Sequence, residues 1–237
     1  MKNIPTLILL ILILISCGTD NKPKIVHDNN NTDNNEIKED STLIKIADLP
    51  VQIDSTNYII HPIGNFKIED DRGKLIYKSS SYGSKVFSIS NYSSYRISGN
   101  LSNVKFQHID SIELKPLTDK KILIKSLTFL RKIFDNTKDQ LLVYEIFDKD
   151  TNQDGKINSK DIKSLYISQV NGNDFQKLTS INHELINWKI VESNNSLYFR
   201  EIEDTNKDGE FDKKDLIHYR FVDLTNDNFK VSSYKPI

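Results

Sequence analysis

One twelve-residue pattern occurs twice in this chain, starting 54 residues apart, and constrains the fold more than any other feature. The first copy is Asp150-Thr151-Asn152-Gln153-Asp154-Gly155-Lys156-Ile157-Asn158-Ser159-Lys160-Asp161. The second is Asp204-Thr205-Asn206-Lys207-Asp208-Gly209-Glu210-Phe211-Asp212-Lys213-Lys214-Asp215. Runs rich in Ile, Val, Phe, Tyr and Leu flank each copy on both sides, so each copy joins two strands. The later unit divides into Leu185–Glu192, Ser196–Glu203, Asp215–Asp223 and Phe229–Tyr234; the earlier one into Ile122–Phe134, Gln140–Phe147, Ile162–Val170 and Phe175–Leu178. Both are four-strand meanders, with the polar loop between the second and third strands. A fainter copy without the loop runs through Asn65–Glu69, Leu75–Ser79, Lys85–Ser90 and Tyr92–Ser98. The chain has one alanine, Ala47, and no segment sustains a 3.6-residue apolar period. The fold class expected is therefore all-β.

Ser164-Leu165-Tyr166-Ile167-Ser168, Asn171-Gly172-Asn173 and Phe175-Gln176-Lys177-Leu178-Thr179 together resemble the third strand, turn and fourth strand of TolB-type propeller blades. The resemblance implies repeated antiparallel meanders in a propeller-like arrangement. Three blades fall short of the four to eight that close a ring. Either Gly99–Lys121 holds a degenerate fourth blade or the sheets stack openly, and a β-sandwich is the alternative architecture.

Alternate side chains at loop positions 1, 3 and 5 converge on one point, and glycine at position 6 permits the sharp turn. The pattern resembles the calcium loop of EF-hand and dockerin-like proteins. That resemblance implies two Ca²⁺ sites, with Mg²⁺ as the other candidate ion. The first takes the side chains of Asp150, Asn152, Asp154 and Asp161 and the carbonyl of Lys156. The second takes Asp204, Asn206, Asp208 and Asp215 and the carbonyl of Glu210. Asn158 and Asp212 at position 9 are further candidates, and Ile157 and Phe211 at position 8 are expected to point inward. Position 12 is Asp, one methylene shorter than the usual bidentate Glu. No helix pair flanks either loop, so the expectation is a calcium-stapled hairpin.

The amino terminus carries a different signal. Lys2 precedes an apolar run from Leu7 to Ile15, followed by Ser16-Cys17-Gly18. This describes an export signal over residues 1–16, too short to span a bilayer as a helix. Leu14-Ile15-Ser16-Cys17 resembles the lipobox of bacterial lipoproteins, which implies cleavage before Cys17 and acylation (palmitate-type chains) of that cysteine. Cys17 is the sole cysteine, so an internal disulfide is excluded. Gly18, where an inner-membrane retention signal would place Asp, and the Asn-, Ile- and Lys-rich composition resemble an outer-membrane lipoprotein of the Bacteroidetes. Residues 17–41 offer little to bury beyond Ile25, Val26 and Ile37 and are expected to form a disordered tether; residues 42–237 form the β-repeat domain.

Lys+Arg 32 against Asp+Glu 33 excludes nucleic-acid binding by bulk positive charge. No nucleophile elbow, phosphate loop or zinc-protease helix is present. His61, His108, His183 and His218 are scattered singly and are expected to be ordinary surface or core residues. The function expected is a non-enzymatic, lipid-anchored binding module of the cell envelope, with a protein or glycan partner. An envelope glycan hydrolase using carboxylates outside the loops, or a purely structural lipoprotein, are the alternatives.

Overall fold

The computed structural model describes residues 22–27, 43–71, 74–78, 89–226 and 228–237. Cys17 and the expected export signal lie outside them. Strands β1 (Leu43–Ala47), β2 (Val51–Gln52), β3 (Tyr58–Asp71), β4 (Lys74–Lys78), β5 (Ser90–Ser93), β6 (Arg96–His108) and β7 (Lys115–Pro116) come first. Then follow β8 (Leu123–Phe129), helix α1 (Arg131–Thr137), β9 (Leu141–Phe147), β10 (Lys163–Gln169) and β11 (Gln176–Lys177). The chain ends with β12 (His183–Val191), β13 (Ser196–Glu203), β14 (Leu216–Asp223) and β15 (Val231–Ser233). All pairings among the described residues are antiparallel.

The protein is all-β and its sheets do not close into a ring. Among the described residues one sheet has eleven strands, seven along the path β1-β3-β6-β8-β9-β10-β11 with β2 and β4 on β3 and β5 and β7 on β6, and the other has four in the order β12-β13-β14-β15. The last sheet is the expected meander almost to the residue. The earlier meander, β8-β9-β10-β11, is also present, but it continues into the first half of the chain instead of standing alone.

Two expectations are corrected. The faint third copy is not a meander, because β3 pairs with β6 over Tyr58–Gly64 while β4 and β5 sit off that central pair. Residues 79–88, part of that copy, lie outside the described residues. Likewise Gly99–Lys121 is no fourth blade: it supplies most of β6 and the two-residue β7. The strand expected over Ile122–Phe134 stops at Phe129, and α1 follows, with Ile133 buried and Arg131 paired to Asp135 at 2.9 Å. Seven residues are too few to display helical periodicity.

β9 explains how the sheets stack. Leu142, Tyr144 and Ile146 join one core with Ile60, Leu101, Val104 and Phe106. Leu141 and Val143, on the opposite face, join a second core with Leu185, Leu197, Phe199 and Val222 of the four-stranded sheet. A strand buried on both faces reads as a continuous apolar run, and Leu141–Phe147 is one apart from Glu145. That glutamate lies between the sheets, where Trp188 Nε1 donates to it at 3.2 Å and Arg96 and Lys163 neutralise it at 3.3 and 3.8 Å.

Candidate metal centres

The two polar loops have the same internal hydrogen bonding. Backbone N–H groups of Asp154 and Asp208 donate to the Oδ1 atoms of Asn152 and Asn206, both at 2.9 Å. Those of Lys156 and Glu210 donate to Asp154 and Asp208, both at 3.0 Å. Gly155 and Gly209 donate to Asp150 and Asp204 at 2.7 and 2.8 Å. Thr151 and Thr205 donate to Oδ1 of Asp161 and Asp215 at 2.8 and 3.1 Å, while Asn158 and Asp212 donate to Oδ2 of the same aspartates at 2.7 and 2.8 Å. Gln153 and Lys207 at position 4 both have positive φ (60° and 59°), as do Gly155 and Gly209 at position 6 (81° and 83°). The repeated sequence therefore produces a repeated conformation in which the acidic side chains turn inward to cap their own loop.

The loops differ at the position-1 carboxylate. In the first, Asp154 N–H also donates to Asp150 Oδ1 at 3.1 Å. In the second, the equivalent oxygen, Asp204 Oδ1, is buried without a hydrogen-bond partner. A buried carboxylate oxygen left unpaired is costly unless a cation meets it. Asp161 is fully buried, and burial pushes its carboxyl above the usual range against the pull of the Asn158, Thr151 and Asn152 amides, with Asp150 adding to the rise. Asp208, at the surface, is lowered by the Glu210 amide and the Asn206 side chain. The residues fit a hard divalent cation: oxygen donors only, one of them unpartnered, around a concentration of negative charge.

Ile157 and Phe211, expected to point inward, are half-buried. In the first loop Asp161 and Ile162 are buried, and the Ile162 N–H donates to Thr151 Oγ1 at 2.9 Å.

A segment expected to hang free lies against both loops. The Lys24 amide donates to the Lys160 carbonyl at 2.9 Å, that of Ile25 to Gly209 at 3.1 Å and that of Val26 to Thr151 at 2.8 Å. Thr151 Oγ1 donates to the Lys24 carbonyl at 2.8 Å, and Lys24 Nζ reaches Glu210 at 3.4 Å. Ile25 is buried. His27 Nε2 lies 2.8 Å from Asp204 Oδ2. Residues 22–27 are thus a strap across the two loops, a correction to the uniform tether; residues 28–42 lie outside the described ones.

A second cluster was not anticipated. His183 on β12, Glu203 on β13 and His218 on β14 place one ligand atom each within 4.8 Å of the others. His218 Nε2 is 2.7 Å and His183 Nε2 3.9 Å from Glu203 Oε2, and the two imidazoles stack with centroids 4.9 Å apart. Beneath them Glu201 is completely buried. Burial opposes its ionisation, but His183, the amide and hydroxyl of Ser180, and Arg220 outweigh that and lower it to about 2. His61 and His108 take no part: they contact Gln107 and Tyr58 respectively.

No family model matches the chain, and no curated protein is similar to it. A solved structure from Agrobacterium tumefaciens, provisionally assigned as TolB, aligns over 80% of this chain and 80% of its own, at 7% identity and a TM-score of 0.23. Likeness at that level carries no argument about fold or function.

Proposed function

We propose that this is an exported, lipid-anchored protein of the cell envelope, held at the outer membrane through Cys17, whose two acidic loops bind Ca²⁺. The stacked meanders act as a non-enzymatic module that binds an envelope protein or glycan. The observation that carries the metal reading is Asp204 Oδ1, a buried, unpartnered carboxylate oxygen at position 1 of a loop that shares most of its internal hydrogen bonds with its twin. Asp150, Asn152, Asp154, Asp161 and the Lys156 carbonyl hold one ion; Asp204, Asn206, Asp208, Asp215 and the Glu210 carbonyl hold the other. Bound Ca²⁺ supplies charge neutralisation and rigidity. The chain's own residues do the rest: glycine and position-4 turns gather the carboxylates, and the strap ties the loops together.

The strap also sets where the loops sit relative to the bilayer. Lys24 is seven residue steps from Cys17, a reach of about 25 Å at most when extended. In this reading the loop face is turned toward the membrane and kept close to it, and the tether is shorter than its composition implies.

The test is thermal unfolding in Ca²⁺ and in EDTA. An ion that binds only the folded state adds about 2.7 kcal/mol at one hundred times its Kd. Identical melting curves in millimolar Ca²⁺ and in EDTA sink the metal reading. For the anchor, Cys17→Ser moves the protein from the membrane to the soluble fraction; a variant that still sediments with membranes sinks that part.

A further inference from the structure

We propose that His183, Glu203 and His218 form a binding site for a divalent first-row transition ion of the zinc class, chemically separate from the acidic loops. Three adjacent strands supply one ligand each. His183 lies opposite Glu203 in the β12–β13 register and His218 opposite Glu201 in β13–β14. Directly paired residues in an antiparallel sheet share a face, so both imidazoles and both glutamates project from the same side. The donor set, two imidazole nitrogens and one carboxylate oxygen, suits zinc and its neighbours and not Ca²⁺, which takes oxygen ligands.

The spacing fits. Ligands at about 2.0–2.1 Å around a tetrahedral ion stand roughly 3.4 Å from one another. Glu203 Oε2 lies 2.7 Å from His218 Nε2 and 3.9 Å from His183 Nε2. The two imidazole ligand atoms lie within 4.8 Å of each other, so shifts of about 1 Å in the side-chain ends bring all three to that distance. The side chains of His183, His218 and Glu203 are 13%, 23% and 43% exposed, which leaves a fourth coordination position open to water.

The layer behind the ligands has the matching form. His183 Nδ1 is buried without a hydrogen-bond partner, and Glu201 Oε1 lies 3.4 Å from it. Metal-bound histidines characteristically donate their second ring N–H to a carboxylate, which orients the ring and raises its basicity. Glu201 is held for that purpose by Arg220 Nε at 3.0 Å, Ser180 N–H at 2.7 Å and Ser180 Oγ at 2.8 Å. With Nδ1–H turned to Glu201, Nε2 is left as the ligand. Glu201 is a positioning residue and does not itself contact the ion.

The experiment is a Zn²⁺ titration of the full chain in saturating Ca²⁺, by calorimetry, repeated with Co²⁺ to read its visible ligand-field bands. One equivalent is expected to bind. His183→Ala and His218→Ala each lose it, and Glu201→Gln weakens it by about tenfold or more. Asp150→Ala, Asp204→Ala and His27→Ala retain it. Should the alanine variants fail to fold, as judged by circular dichroism, His183→Gln and His218→Gln replace them with the same expectation. Absence of binding overturns the proposal, and so does Zn²⁺ binding that survives the histidine substitutions or disappears with those in the loops.

Discussion

His27 Nε2 sits 2.8 Å from Asp204 Oδ2, joining two residues 177 positions apart. The contact ties the amino-terminal strap to the first residue of the second acidic loop. The same carboxylate keeps its other oxygen unpartnered and buried. One aspartate therefore serves the strap through Oδ2, and on the proposed reading its Oδ1 is the oxygen offered to an ion.

The strap is expected to answer to the loops. Amide hydrogen exchange at Lys24, Ile25 and Val26 should be slow in Ca²⁺ and faster in EDTA, because all three donate to loop carbonyls. Ile25→Ala, which removes a buried side chain, should cost about 2 kcal/mol in strap docking, the low end for such truncations. It should accelerate exchange at those three amides while leaving β12–β15 unchanged. Exchange independent of both Ca²⁺ and Ile25 removes the link.

Gly209 and Gly155 should respond differently to alanine. Both have φ near 80°, where a Cβ costs about 1–2 kcal/mol. At Gly209 the added carbon also meets the Ile25 carbonyl at 2.6 Å. Gly209→Ala should therefore lower Tm more than Gly155→Ala and expose the strap to proteolysis. Equal losses from the two substitutions contradict this.

Asp161 should matter even without metal. Its two oxygens accept N–H groups from Thr151, Asn152 and Asn158 at 2.8, 3.3 and 2.7 Å in a fully buried position. Asp161→Ala leaves those donors short of an acceptor, a loss of about 2–3 kcal/mol measurable by denaturation in EDTA. Asp208→Ala, at an exposed position, should reduce the Ca²⁺-induced shift in Tm with a smaller effect in EDTA.

Glu184 predicts a pH dependence. Burial, followed by the opposing pull of the Lys163 amide and the charges of Lys163 and Lys125, leaves its carboxyl raised to about 7 from 4.5. The unfolded chain therefore releases this proton more readily than the folded one between pH 4.5 and 7. The group costs nothing below pH 4.5, costs progressively more up to pH 7 and its full amount above that. Glu184→Gln in EDTA should raise Tm at pH 8 relative to the parent and leave the difference near zero at pH 4.5. A difference that does not change with pH rules this out.

Much of the carboxy-terminal half was legible because its information is local. The turn at Ser193-Asn194-Asn195, the Asp-Asn-Asp-Gly loops and the apolar runs between them define β12, β13 and β14 within one or two residues. The third meander misled because strand composition does not encode pairing. β3 and β6 are 14 and 13 residues long, and their mutual register dominates the sheet over the local hairpins on either side.

The loops' inward-turned acidic residues, their turns and the all-β class were determined by the sequence, since Asp, Asn and Gly act there through bonds to neighbours a few positions away. The strap and the histidine cluster were decided by tertiary structure alone. Counted back from the turn, Ser196 lies opposite Val191, which would set Glu203 against Glu184. A bulge between Leu185 and Asn187 shifts the register by one and sets it against His183 instead. Because side chains alternate along a strand, that single residue moves His183 to the face carrying Glu203 and His218. Nothing local to His183 specifies the move; it arises only when three strands pair.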